Sequence, residues 1–298
     1  MPELPEVHAL VTDLRGRLLG RRIARLELVS FAALKTFDPP AAALAGGTVT
    51  AVDRHGKFLD ITVATTAHGT LHVLIHLARA GWLRWRDAAP QGTLRPGRGP
   101  IAVRLVLDEG DGALSTGSGF DLTEASTKKS LAVWIVRSPT ELERIATLGP
   151  DPLDPAFTRD TLAGILAGAG RSQLKGLLRN QSVIAGIGNA YSDEILHAAR
   201  LSPFAPATLD PPRIDALYAA LRETLESAIA RADGLAAADL KGEKKSNLRV
   251  HGRTGQACPV CGDTIRQVIY ADSTFQYCPT CQTGGKPLAD RVLSRLLK

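Results

Sequence analysis

Val7, Leu10, Val11, Leu14 and Leu18 recur at helical spacing, and Gly20 closes the helix they predict. From Ile23 to Val136 the pattern changes to short apolar or alternating runs punctuated by Gly, Pro and Asp. The runs fall at 23–29, 49–52, 58–63, 71–77, 82–86, 101–107 and 131–136, a spacing that predicts an antiparallel sandwich or barrel. Residues 89–100 are rich in Gly, Pro and Arg and read as an exposed loop. Three prolines within 150–155 oppose both helix and strand, so 149–156 reads as a linker. Beyond it the period is helical again. Ile214, Leu217, Leu221, Leu225 and Ile229 form one stripe, started by Pro211-Pro212 and ended near Gly234. Strand-like pieces return at 265–270, among four cysteines. The expected organisation is α+β: an N-terminal helix and sandwich over 1–148, a helical domain over 157–250, a cysteine finger over 251–284 and a basic tail over 285–298.

Composition narrows the class. The 298 residues suffice for one large or two medium domains, and 44% hydrophobic content is ordinary for a globular chain. The net charge of +6 fits a nucleic-acid partner without requiring one. The longest apolar runs fall short of a membrane span, and acids stand where a secretory signal would be basic, so a cytoplasmic, nucleoid-associated location is expected.

Three stretches carry candidate chemistry. The first is Met1-Pro2-Glu3-Leu4-Pro5-Glu6-Val7. Removal of Met1 leaves a terminal secondary amine, a group that titrates near ~7.7–8.0 and is partly unprotonated at neutral pH. Glu3 and Glu6 put carboxyls beside it for proton transfer, although the same residues suit an ordinary helix start. The second runs from Lys175 to Glu194 and reads as helix, glycine turn, helix. Gly186-Ile187-Gly188 lacks a third glycine and a preceding strand, so it is no dinucleotide loop. A helix N-terminus after such a turn suits a phosphate, with Asn189 adding a donor; a packed helical hairpin is the alternative. The third is Cys258-x-x-Cys261 and Cys278-x-x-Cys281, a strong tetrathiolate zinc signal against two disulfides or a redox pair. Four sulfur ligands leave no open position, so that zinc is structural. Lys57, after Arg54-His55-Gly56, is by itself a turn lysine at the start of a strand.

Taken in order, these stretches resemble the formamidopyrimidine-DNA glycosylase / endonuclease VIII family of base-excision repair enzymes, and the resemblance spans almost the whole chain. It implies a bifunctional glycosylase and AP lyase acting on damaged double-stranded DNA as a monomer, through a Pro2 Schiff base with Glu3, Glu6 and Lys57 in the catalytic group. It implies a helix–two-turn–helix in which Asn189 binds phosphate, with His76 and Lys175 also facing DNA. The flank of Lys241, Lys244, Lys245, Arg249, His251 and Arg253 would lie beside the duplex. The chain also departs from the family. Where a methionine is usual in the strand turn, this sequence has His76-Leu77-Ala78-Arg79-Ala80-Gly81. The nearest counterpart of the usual Arg-Phe loop is Thr127-Lys128-Lys129-Ser130-Leu131. Arg79 or Lys129 is therefore expected to reach a base edge, with Leu131 as wedge. Asp272 or Ser273 stands where an arginine precedes the third cysteine. These departures motivate one alternative, a non-enzymatic protein that binds damaged or abasic DNA. An N-terminal-proline tautomerase explains neither the cysteines nor the Asn189 turn.

Overall fold

The computed structural model describes residues 1–88, 99–108, 117–270 and 273–289. Most of the loop expected over 89–100, Asp272 and the end of the basic tail lie outside them. The chain divides into two compact units, Met1–Thr147 with Ala232–Leu240, and Leu148–Arg231 with Lys241–Lys298.

The first unit begins with α1 (Leu4–Leu18), which buries Leu4, Leu10, Leu14 and Leu18 completely. Full burial of one such side chain contributes about 1.5–3 kcal/mol. Eight strands follow: β1 (Ile23–Leu28), β2 (Thr48–His55), β3 (Phe58–Thr65), β4 (Gly69–His76), β5 (Gly81–Arg86), β6 (Ile101–Leu107), β7 (Gly119–Glu124) and β8 (Ala132–Val136). They form two antiparallel sheets of order β2-β3-β4-β8 and β1-β6-β7-β5. One core joins α1 to both sheets, with Ile61, Val73 and Ile75 from the first and Leu83, Leu105, Phe120 and Leu122 from the second. The alternation that predicted strands is real in β3: Leu59, Ile61 and Val63 enter this core.

Strand β7 was not expected. Its sequence, GFDLTE, interleaves Phe120 and Leu122 with polar residues, yet all six positions are buried. Asp121 survives burial because Arg104 meets it at 2.6 Å and Arg86 at 3.0 Å. Such cross-strand pairing is invisible to periodicity. The stretch 232–240 also belongs to this unit: Ala232, Ala237 and Leu240 lie in its core, and the Trp82 indole donates to the Ala237 carbonyl at 2.8 Å.

After a single turn, α2 (Glu143–Ala146), the second unit contains α3 (Arg159–Ala169), α4 (Leu174–Arg179), α5 (Asn189–Ala198), α6 (Pro211–Ala232) and α7 (Leu240–Asn247). A hairpin of β9 (Arg266–Tyr270) and β10 (Ser273–Tyr277) and the short α8 (Pro279–Thr283) complete it. The stripe of α6 is buried through Leu217, Leu221 and Leu225. The proline-rich segment is packed into this unit: Gly149 N–H donates to the Gln181 carbonyl, Ala185 N–H to Pro150 and Arg222 to Pro152. No helix among the described residues is long and apolar enough to cross a membrane.

Candidate active site and nucleic-acid interface

In the first unit the helix start is built around carboxylates. Glu3 is the N-cap of α1, and its N–H donates to Glu6 Oε2 at 2.8 Å in a reciprocal capping box. Pro2, Glu3 and Glu6 are buried, while Met1 is 48% exposed. A residue open to removal thus precedes a proline held beside two buried acids.

Lys57 is buried in the tight turn between β2 and β3, after Gly56 at φ +54°. Phe58, the next residue, pairs with His76 across the sheet, and their rings lie 4.8 Å apart. Burial, then the charges of Lys57 and Arg144, lower the His76 pKa to about 4. At neutral pH His76 is therefore a neutral imidazole beside a lysine ammonium. On the adjacent rows Asp60, itself buried, meets His55 at 3.0 Å and His72 at 3.0 Å, a cluster that no sequence spacing announced.

The turn after His76 sits beside the loop after β7. Gly81 pairs with Glu124, and a Cβ at Gly81 would lie 2.1 Å from the Leu77 carbonyl oxygen, so only glycine fits. Ala78 adopts φ +51° in this turn, an unusual conformation for a residue with a side chain, and Arg79 is exposed. In the neighbouring loop, Glu124 Oε1 accepts from Ser130 N–H, Ser130 Oγ–H and Leu131 N–H, while Lys129 Nζ donates to the Glu124 carbonyl. Leu131 does not fit the wedge expected of it. It is 2% exposed and packed into the core, because Glu124 ties its backbone inward.

In the second unit the helix–turn–helix is fastened from inside. Gln181 accepts from Gly186 N–H and donates to the Ile187 carbonyl, shaping a turn in which Gly186 has φ +87°. Gly188 then caps α5, and Asn189 opens it. Asn189 Nδ2 donates to the Thr274 carbonyl at 2.6 Å, and its Oδ1 is buried without a partner among the described residues.

Lys175 departs from the expected DNA contact. It is 5% exposed, and its ammonium donates to Asp193 at 2.5 Å, to Ser192 Oγ and to the Asn189 carbonyl. The reason is its helical register in α4, which points it at α5. It positions the Asn189 turn from behind. Asp193 also meets His251 Nδ1 at 2.7 Å and accepts from Gln276 N–H. Glu194 accepts three backbone N–H groups, those of Arg249, Val250 and His251; burial raises its pKa and these three donors oppose the rise. The basic flank is therefore divided. His251 is engaged by Asp193, and Arg253 donates to the carbonyls of Ser246 and Leu248, so neither fits the DNA face expected for it. Lys245 and Arg249 are exposed, and half-buried Lys244 lies over the Tyr191 ring at 4.5 Å.

The four cysteines converge. Their sulfurs lie within 4.8 Å of one another, with Cys258–Cys281 at 3.9 Å and Cys261–Cys278 at 3.4 Å. Four sulfurs around one metal at about 2.3 Å are about 3.8 Å apart, whereas a disulfide needs ~2.05 Å. The donor set therefore fits a tetrahedral metal ion and opposes disulfides. Behind it stands a residue that the sequence did not flag. His197 Nε2, from α5, lies 3.3 Å from Cys258 Sγ. Burial, then Arg249 and Arg200, lower the His197 pKa to about 4.

A proline-led helix on an antiparallel sandwich, joined in sequence to a helical unit with a four-thiol finger, is the fold of a class of DNA-repair glycosylases. Residues 1–116 match the profile of the formamidopyrimidine-DNA glycosylase N-terminal domain and residues 148–238 that of its H2TH domain. The formamidopyrimidine-DNA glycosylase of Moorella thermoacetica is 33% identical over 279 residues, covering 90% of this chain and 94% of that protein. An uncharacterised formamidopyrimidine-DNA glycosylase-like protein of Mycobacterium tuberculosis is 59% identical over 152 residues, 51% of this chain and 94% of the relative. The crystal structure of MutM (Fpg) from Thermus thermophilus superposes with a TM-score of 0.75 at 30% identity, covering 96% of this chain and all of that one. The chain belongs to the formamidopyrimidine-DNA glycosylase / endonuclease VIII family.

Proposed function

We propose that this protein is a bifunctional DNA glycosylase and AP lyase, acting on damaged double-stranded DNA. The observation that carries the reading is the burial of Glu3 and Glu6 at the first turn of α1, directly after a proline that Met1 removal turns into a secondary amine. A Lactococcus lactis Fpg of the same fold was solved with DNA containing an abasic site, at 23% identity and a TM-score of 0.78, which supports the choice of substrate class.

The damaged nucleotide leaves the stack, since C1′ is otherwise out of reach. The Pro2 nitrogen attacks C1′, the bond from C1′ to the base breaks, and the base departs with a proton. Glu3 supplies protons at the opening deoxyribose, and Glu6, bonded to the Glu3 N–H, holds the helix start in register. The resulting iminium is cationic without further protonation. It acidifies the C2′ proton, whose removal expels the 3′ phosphate; a second elimination expels the 5′ phosphate. Lys57 offers a point charge to a flanking phosphate. Asn189, one of whose Nδ2 hydrogens goes to the Thr274 carbonyl, offers the other to a phosphate, and Lys244, Lys245 and Arg249 add charge along the duplex. Arg79 faces the gap and the opposite base, and Lys129 joins it on leaving the Glu124 carbonyl, from adjacent turns whose backbones are fixed by Gly81 and by the Glu124 carboxylate. Cys258, Cys261, Cys278 and Cys281 would hold a zinc ion, which would tie the finger together and, with four sulfur ligands, leave no open position to activate water.

Borohydride trapping on a duplex with an abasic site tests this, with wild type beside Pro2→Gly. A covalent complex in the wild type alone is expected. Binding of the duplex without any trapped complex would replace this reading with that of a non-enzymatic damage binder.

A further inference from the structure

The contact between His197 and Cys258 joins α5 to the cysteine cluster. His197 is 2% exposed and Cys258 is 3% exposed, so water does not compete for their hydrogen bond. Cys258 packs with Val250, Ile265 and Cys278 in a small apolar cluster. The other ring nitrogen of His197, Nδ1, is buried without a partner among the described residues. A metal-bound thiolate carries no proton, so any hydrogen between these two atoms must sit on the imidazole. Metal binding thus selects the Nε2–H tautomer, and the unpartnered Nδ1 is the lone-pair nitrogen.

We propose that His197 is an outer-sphere donor to the metal centre, its Nε2–H holding the Cys258 thiolate. Four thiolates around a divalent cation carry net negative charge. A buried donor at one sulfur withdraws electron density from it and slows attack on that sulfur by acids, oxidants and alkylating agents. The same bond fastens α5, which opens with Asn189, to the metal centre at a point about 12 Å along the helix. Gln282 makes a parallel tie, accepting from Cys278 N–H and donating to the Leu201 carbonyl just beyond α5. This inference rests on the reading of the four cysteines as one metal site.

The test uses the full chain loaded with cobalt(II) or zinc(II), as wild type, His197→Phe and His197→Gln. Phe keeps a planar ring and removes the donor; Gln keeps an N–H. His197→Phe is expected to shift the sulfur-to-cobalt charge-transfer band and to release zinc to excess chelator about tenfold faster. His197→Gln should stay within about threefold of wild type. Release rates and bands equal to wild type in His197→Phe would overturn the proposal. So would equal acceleration in both variants, which would make packing the cause. Wild type loaded with cadmium-113 gives a readout independent of any variant: a scalar coupling between the metal and the His197 Nε2–H proton is expected, and its absence counts against the bond. A wild type without thiolate-to-cobalt bands would instead sink the metal reading itself.

Discussion

Each unit buries a pair of helix carboxylates, Glu3 and Glu6 at α1 and Asp193 and Glu194 on α5, and these two pairs are held in opposite ways. Asp193 and Glu194 are bound by groups distant in sequence: Lys175, His251 and Gln276 N–H for the first, three consecutive backbone N–H groups for the second. Glu3 and Glu6 cap their own helix, three residues apart, next to Pro2. Long-range bonds make a carboxylate a fastening between elements, whose loss is felt as stability. A local cap beside the proposed nucleophile leaves its proton chemistry available, so under that reading its loss is felt as rate.

The largest expected effect breaks the comparison at its catalytic end. Glu3→Gln should lower base excision by roughly 10²- to 10⁴-fold, the usual worth of a positioned proton-transfer group. It should shift the urea unfolding midpoint little. A midpoint that collapses while the residual folded fraction keeps full turnover would put Glu3 with the fastenings instead. At the other end, Asp193→Asn leaves the Lys175 ammonium buried without its counter-charge and should cost about 3–5 kcal/mol in denaturant unfolding. Removing both charges, as Lys175→Met with Asp193→Asn, which keeps an acceptor for His251 and the Gln276 N–H, should cost less than the single change. A smaller loss in the single variant than in the double one would mean that Lys175 reaches solvent.

A third effect sharpens the contrast within the first unit. His76 is held neutral, with its pKa lowered to about 4 from an ordinary 6.5. Between these values the unfolded chain binds the proton and the folded chain does not. Stability contributed by neutral His76 is therefore full above about pH 6.5 and is lost as pH falls toward 4. The loss should be about 3 kcal/mol in unfolding titrations, and His76→Gln should flatten that part of the profile. The smallest effect concerns Arg79. Arg79→Ala should change the opposite-base preference of strand cleavage by a few-fold and stability by less than about 0.5 kcal/mol. An unchanged preference would remove Arg79 from recognition of the opposite base.

Much of the architecture can be read along the chain, because its cues are local. The α1 stripe, all seven expected sandwich runs, and the α6 stripe between Pro211 and Ala232 follow from the spacing of apolar residues. Strand β7 escapes that reading, since Asp121 and Glu124 are buried by partners on other strands and beside the following loop. The charged flank misleads for the same reason. His251 and Arg253 look like Lys245 in sequence, yet Asp193 and the carbonyls at the end of α7 engage them internally.

The sequence alone determined the elements whose signals lie within a few residues: the proline-led helix with its acids at 3 and 6, the glycine turn before Asn189, and two cysteine knuckles. Tertiary structure decided everything that depends on which distant groups meet. It turned Lys175 inward onto Asp193, sank Leu131 into the core, drew 232–240 into the first unit and set His197 against Cys258. Periodicity reports which face of an element is apolar. Whether a charge is a fastening or a working group depends on the partner that desolvation forces it to find, and that partner is 18 residues away for Lys175 and 61 for His197.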